Sequence, residues 1–340
     1  MEHKRIAIDT SKQVFTLHGI DQADRPVLRR NLGRAQLEKF FAQQTPTEVV
    51  MEACGSAHHW GRTLQAMGHR VRLIPPQYVK PFVKRGKNDR NDAEAISEAA
   101  SRPGMRSVPV KSAECQAEAM LLSSRDMLIG QRTQLINAVR GHAAEFGVIA
   151  ARGTANVEKL LQVVADSASG VPARAQAALA LYGRKIAELD ADIAALDREV
   201  AAQHKASKAS LRQATQPGVG QILALALTLT VDHTQFESGR HFAAWLGLTP
   251  REKSTGGRQR MGGISREGNE RLRQLFVLGA TAVIRVAKPG SKLATPWLLQ
   301  LLERKPRKLA AVALANKMAR IAWAMMSRGE AYRQPKPVAA

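Results

Sequence analysis

Apolar positions in the first hundred residues come in short runs separated by turn formers. Arg5-Ile-Ala-Ile-Asp9 reads as a short buried strand ending in a carboxylate, and Val14 to Ile20 as a second strand. Asp21-Gln-Ala-Asp-Arg-Pro26 is turn-like, so Val27 to Leu32 returns as a third strand of a meander. Gly33 to Gln43 then changes to helical spacing through Leu37, Phe40 and Phe41. A strand over Thr47 to Glu52 again ends in a carboxylate. His58 to Met67 is helical, Val71 to Ile74 is a strand stopped by Pro75-Pro76, and Lys87-Asn-Asp-Arg-Asn-Asp-Ala-Glu94 opens a helix reaching Ala100. Three strands, helix, strand, helix, strand, helix is an α/β layer pattern.

The middle of the chain changes to long helical periods. Met120, Met127, Leu128, Leu135 and Val139 mark an amphipathic helix over residues 116–146. Ile186, Leu189, Ile193, Leu196 and Val200 alternate spacings of three and four, a coiled-coil seam with Glu188, Asp190, Asp192 and Arg198 off it. Two such helices can pair within one chain or between two copies, and the pattern leaves both open. Further on, Pro217-Gly-Val-Gly220 precedes an apolar helix, Ile222 to Leu229, and basic-edged helices cover Glu270–Val286 and Ala310–Met326. The expected organisation is an α/β domain over residues 1–112, a helical coiled-coil region over 113–212, and a mainly α-helical domain over 213–340.

Composition narrows the class. With 340 residues, 44% of them hydrophobic, the chain can bury a substantial core. Net charge is +22, and it is uneven: residues 201–340 carry +16 and residues 1–200 only +6. Such asymmetry favours a polyanion for the C-terminal half. The longest apolar run, Ile222 to Val231, is far below the ~20 residues of a membrane span. Met1-Glu-His-Lys-Arg runs straight into a strand pattern without a leader-like segment, and Cys54 and Cys115 lack metal or redox spacing. A reducing, cytoplasmic setting beside the nucleoid is expected. With 8 Phe, 4 Trp and 3 Tyr there is little material for base-stacking platforms, which favours phosphate and shape recognition.

Two groups of residues carry candidate chemistry. Asp9 and Glu52 end two strands, and Asp89 and Asp92 lie three apart on the first turn of a helix, as in ribonuclease-H-like domains. Asp89 and Asp92 can equally act as helix-start residues that complement the dipole. Converging, the four carboxylates would raise one another's pKa unless a hard divalent cation neutralised them. The second group is the polar loop Arg251-Glu-Lys-Ser-Thr-Gly-Gly-Arg-Gln-Arg260, which offers the Ser254 hydroxyl among glycines and arginines. Gly256 and Gly257 would let backbone N–H groups approach an anion, and Arg251, Lys253, Arg258, Arg260, Arg266 and Lys87 would neutralise it. Gly218 and Gly220 suit either a plain helix start or half of a helix-hairpin-helix phosphate contact. No P-loop is present, so no nucleotide cofactor is indicated. The adjacent His58 and His59 point apart on a helix and lack zinc-ligand spacing.

Ala-Ile-Asp9-Thr-Ser-Lys, Val-Met-Glu52-Ala-Cys-Gly and Lys-Asn-Asp89-Arg-Asn-Asp92-Ala resemble the DEDD set of the insertion sequence 110 family of transposases. Gln216-Pro-Gly-Val-Gly220, Phe242-Ala-Ala-Trp-Leu-Gly-Leu-Thr-Pro250, Ser254-Thr-Gly-Gly and Gly263-Ile-Ser-Arg-Glu-Gly-Asn269 match in the same order, in the style of the 1111 subgroup. The resemblance implies a RuvC-like N-terminal domain with Asp9, Glu52, Asp89 and Asp92 holding Mg²⁺ or Mn²⁺. It implies Ser254 as a nucleophile toward DNA, although the family often has Ser-Ser-Gly where this chain has Ser-Thr-Gly. It further implies strand cutting and rejoining at element ends and target DNA, a structured noncoding guide RNA, and a dimer that pairs into a tetramer. A hydrolytic junction nuclease and a non-enzymatic nucleic-acid-binding protein are the alternatives.

Overall fold

Alternation along the central strands decides the N-terminal architecture. In this computed structural model, which describes residues 3–84, 88–288, 290–291 and 293–334, the chain forms two compact units, residues 1–116 and 117–340. The first contains β1 (Arg5–Thr10), β2 (Val14–Ile20), β3 (Pro26–Gly33), α1 (Arg34–Ala42), β4 (Glu48–Glu52), α2 (Ala57–Ala66), β5 (Arg70–Ile74), a single turn α3 (Pro76–Val79) and α4 (Asp89–Ser101). The sheet order is β3-β2-β1-β4-β5. β1 to β3 form an antiparallel meander, whereas β4 and β5 run parallel to β1. Ile6, Ile8, Val49 and Met51 point to one face and pack with Leu37, Phe41, Trp60 and Leu64 of α1 and α2. Ala7 and Val50 point to the other and pack with Ala95, Ile96 and Ala99 of α4. Because side chains alternate, Asp9 and Glu52 share the α4 face with Ala7 and Val50.

A buried ion cluster fixes α4 on that face. Arg5 donates to Glu48 (Nε···Oε2 2.6 Å), and its Nη1 reaches the Ser97 carbonyl (3.2 Å) and Ser101 Oγ (2.6 Å) of α4. Arg70 and Arg72 donate to the other Glu48 oxygen. Burial alone would raise the Glu48 carboxyl, but the guanidiniums of Arg5 and Arg72 outweigh it and hold it low. Glu48→Ala leaves Arg5 charged and buried without its partner. It is expected to cost about 3–5 kcal/mol, read as a lower urea midpoint at unchanged slope.

The second unit is mostly helical. α5 (Ala113–Ala144) enters it, followed by α6 (Ala155–Ala165), α7 (Ala173–Ala206) and α8 (Lys208–Gln213). Of the expected seam on α7, Ile186, Ile193 and Val200 are buried and Leu189 and Leu196 half-buried, and Leu179 adds a buried position one heptad earlier. Within one chain α5 and α7 run antiparallel, tied by Arg125–Asp197 and Arg132–Asp190 ion pairs. Ile136, Val139 and Ala143 of α5 pack with Val157 and Leu160 of α6 and with Ile186 of α7. The expected stripe on α5 holds at Leu135 and Val139 and fails at Met120 and Met127. Met120 and Met127 are 63% and 57% exposed, and the buried positions are Leu122, Ile136, Val139 and Ala143.

The chain continues through α9 (Gln221–Thr230), α10 (Gly239–Trp245), a hairpin of β6 (Pro250–Glu252) and β7 (Met261–Ile264), α11 (Glu270–Val286), α12 (Pro296–Arg304) and α13 (Arg307–Arg328). Among the described residues α13 is the one helix long and apolar enough to cross a membrane. Ala310, Ala315, Met318, Ala319 and Ala322 on one side of it are buried inside the unit.

Candidate functional site

In the N-terminal unit three elements deliver carboxylates to one place. The parallel β1–β4 register, Ile8 opposite Met51, sets Asp9 and Glu52 side by side at the C-terminal strand ends. Asn88 caps α4 by accepting from the Asn91 N–H (2.8 Å), which starts the helix so that Asp89 and Asp92 fall on its first turn. Oxygens of Asp9, Asp89 and Asp92 lie within 4.8 Å of one another. Glu52 stands next to them and adds its charge to the set.

The electrostatics of this cluster are unfavourable as it stands. Burial, then the charges of Asp92, Asp89 and Glu52, push the Asp9 carboxyl up from 3.8 to about 6. Burial and Asp92 likewise raise Glu52. Among the described residues no lysine or arginine forms an ion pair with any of the four, whereas Glu48 on the same sheet has three. An all-carboxylate set without a protein cation fits a hard divalent metal ion, which prefers oxygen ligands. Asp9, Glu52, Asp89 and Asp92 are the residues that would hold it. His58 takes another role, its Nδ1 accepting from the Lys111 N–H (3.2 Å).

In the C-terminal unit the serine loop is a β-hairpin, which its composition did not suggest. Glu252 pairs with Met261, the Lys253 N–H donates to the Arg260 carbonyl (2.8 Å), and Thr255 bridges Arg258. The tip, Gly256-Gly257, has φ of 55° and 77°, the two left-handed residues of a type I′ turn. These glycines are thus required by the hairpin itself. Ser254 is exposed. Its Oγ donates to Glu252 Oε1 (2.7 Å) and accepts from the Arg260 N–H (3.3 Å). Lys253, Arg258 and Arg260 are exposed on the same hairpin. Arg251 instead donates through Nε and Nη2 to the Ser265 carbonyl and staples the hairpin base.

That base is crossed by tight backbone contacts. Arg266 has a left-handed φ of 59°, and its N–H donates to the Gly247 carbonyl. The buried Arg273 donates to both the Leu246 and Glu267 carbonyls (3.0 and 2.8 Å), a clamp that sequence reading missed because its partners are main-chain atoms. A Cβ on Gly268 would lie 1.7 Å from the Trp245 carbonyl oxygen, at φ 72°. Gly268→Ala is therefore expected to displace the hairpin and cost about 2–3 kcal/mol or more. Gly262→Ala, which meets nothing closer than 3.6 Å, is the control, and a fall in urea midpoint confined to Gly268→Ala checks it.

The remaining sequence candidates are spread out. Gly218, φ 82°, is pressed against Gly279, Val283 and Met318, so its place is explained by helix packing. Gly220 is open at the start of α9. Lys87 lies outside the described residues. Arg240, Lys317 and Arg320 line a cleft of about 970 Å³ with Trp297 and Trp323, beside β7. The Lys317 ammonium sits 4.0 Å from the centre of the Trp297 ring, and burial, then Arg320, lowers its pKa.

Comparison with known proteins connects both units. A family profile for DEDD transposases of the IS110 type matches residues 6–147, and the profile of the Transposase IS116/IS110/IS902 family matches residues 212–294. A Sinorhizobium fredii protein named as a transposase, y4pF/y4sB, is 51% identical over 97% of this chain and 86% of its own length. The transposase for insertion sequence element IS1111A of Coxiella burnetii is 42% identical over 97% and 91% of the two chains. That for IS1328 of Yersinia enterocolitica is 36% identical over 96% and 98%. Identity at this level along nearly the whole length places the chain in the IS110 family of transposases, the IS1111-related branch included, as an enzyme that cuts and joins DNA.

Proposed function

We propose that this transposase cuts DNA by attack of Ser254 on a phosphodiester, with Asp9, Glu52, Asp89 and Asp92 holding Mg²⁺ or Mn²⁺. The observation that carries the reading is the convergence of three aspartates from β1 and α4 within 4.8 Å, beside Glu52, with no protein cation among the described residues to neutralise them. The strand order β3-β2-β1-β4-β5, with carboxylates ending the adjacent β1 and β4, supports a ribonuclease-H-like, RuvC-like domain. A divalent ion held there would supply neutralisation of charge on the reacting phosphate.

The chain's own residues divide the remaining work. Ser254 presents its hydroxyl from a stapled hairpin. Lys253, Arg258 and Arg260 hold the phosphate, with Arg251 and Arg266 fixing the hairpin and Gly220 offering a backbone N–H contact to DNA. A phosphoserine link conserves the energy of the phosphodiester, so strands can be exchanged and resealed without a nucleotide. The charge of +16 on residues 201–340, together with few aromatic residues, favours backbone recognition. Sequence choice then falls to a structured noncoding RNA that pairs with donor and target DNA. Self-association into a homo-oligomer belongs to the same reading, because a recombinase that joins two DNA ends gains from holding both.

The test is a single incubation. Protein, an end-labelled duplex carrying the element's own end, RNA transcribed from the adjacent noncoding stretch, and Mg²⁺ are expected to give a protein–DNA adduct on denaturing gels, absent with EDTA. Cut DNA without an adduct would overturn the serine reading and leave a hydrolytic nuclease in its place.

A further inference from the structure

Activation of the nucleophile is left open by everything above, since a serine hydroxyl is a poor nucleophile near neutral pH. We propose that Glu252 is the general base that takes the Ser254 proton, a catalytic role resting on the assignment of Ser254 as nucleophile. The geometry comes from the hairpin. Glu252 closes β6 and Ser254 follows it by two residues on the same arm of the hairpin, between the Glu252–Met261 pair and the Thr255–Arg258 bridge, and the two side chains meet. The hydroxyl donates to Glu252 Oε1 at 2.7 Å, within the reach required of a base. Its orientation is fixed from the other direction by the Arg260 N–H, which donates to Oγ at 3.3 Å. A lone pair not used by Arg260 remains to meet phosphorus once the proton has gone to the carboxylate.

Glu252 has no competing partner among the described residues: no lysine or arginine pairs with it, and no histidine or other carboxylate hydrogen-bonds to Ser254. Its strand pairs with β7 at Met261, so the carboxylate is carried on a paired backbone.

The step balances. The Oγ–H proton passes to Glu252 as the Oγ–P bond forms. The bond from phosphorus to one deoxyribose oxygen breaks, with its electron pair leaving on that oxygen, which takes up one proton. One phosphodiester is exchanged for a phosphoserine diester and a free hydroxyl, and the carboxylate is regenerated. Resealing reverses each movement, the free hydroxyl attacking phosphorus and Oγ regaining a proton.

The experiment measures single-turnover adduct formation with the end-labelled duplex, RNA and Mg²⁺ for wild type, Glu252→Gln and Glu252→Ala. Glutamine keeps a hydrogen-bond acceptor of the same shape but cannot take the proton, so a positioning role alone would leave Glu252→Gln near wild type. The expected result is a loss of about 10²–10³-fold in Glu252→Gln, with duplex binding unchanged. Formate should restore part of the Glu252→Ala rate. A Glu252→Gln rate within about threefold of wild type, or no rescue of Glu252→Ala by formate, would overturn the assignment. A wild type that forms no adduct would instead fail at the nucleophile, taking this inference with it.

Discussion

Replacing Ser254 with alanine is expected to remove the protein–DNA adduct entirely while leaving the fold and duplex binding intact. The fold should survive because Ser254 is exposed and its two hydrogen bonds lie within the hairpin. Their loss is worth about 1 kcal/mol at most in such a setting. The chemical effect should be far larger. Removing a nucleophile withdraws the covalent route, a loss on the order of 10⁴-fold or more in rate. Thr255 is the nearest alternative hydroxyl, but Ser254 is the one that hydrogen-bonds to Glu252. Thr255 also lies at the tip, bridged to Arg258. A surviving adduct of unchanged mobility in Ser254→Ala would move the nucleophile to Thr255 or beyond. The converse variant, Thr255→Ser, should retain adduct formation.

How far the sequence went depends on which physical signal each part of the chain carries. The N-terminal sheet was legible because each strand has an alternating or fully apolar run bounded by turn formers, and four carboxylates sat at predictable ends. β1, β2 and β4 fall within a residue of their expected spans. Residues 250–264 carried no such signal. Both hairpin strands are exposed, so nothing selects an alternation, and their glycines and arginines read as an irregular anion-binding loop. The hairpin is held instead by main-chain contacts at its base, the Gly268–Trp245 approach and the Arg273 clamp, which no residue pattern announces. Glu252 was hidden for the same reason: a carboxylate two residues before a serine becomes a neighbour only once the segment is known to be a hairpin. On α5 the C-terminal part of the stripe, Leu135 and Val139, was legible, whereas Met120 and Met127 are exposed and Leu122 is the buried position beside them.

Asp9→Asn should separate stability from activity in opposite directions. Asp9 titrates near 6 in the folded protein against an ordinary value of 3.8, so between those values the folded state holds more protons than the unfolded one. Stability of the metal-free protein is then greatest in acid and is lost as pH rises through about 6, the reverse of an ordinary salt-bridged aspartate. At full weight the difference amounts to about 3 kcal/mol, and solvent reaching the half-buried carboxyl reduces it to about 1–2 kcal/mol. Asparagine has no charge to lose, so at pH 7 in EDTA the variant should melt about 2–4 °C above wild type. Adding Mg²⁺ should reverse the order, because a cation bound only by the folded wild type stabilises it by mass action, while the variant lacks a ligand. Strand cleavage should nevertheless fall by about 10³-fold or more, the equivalent of withdrawing several kcal/mol of charge stabilisation at the phosphate. Melting curves at pH 5 and 7, with and without Mg²⁺, check the first part, and the labelled-duplex assay checks the second. A variant that melts below wild type in EDTA, or a Mg²⁺ shift equal in both proteins, would show that the acidic cluster is a structural network rather than a metal-binding one.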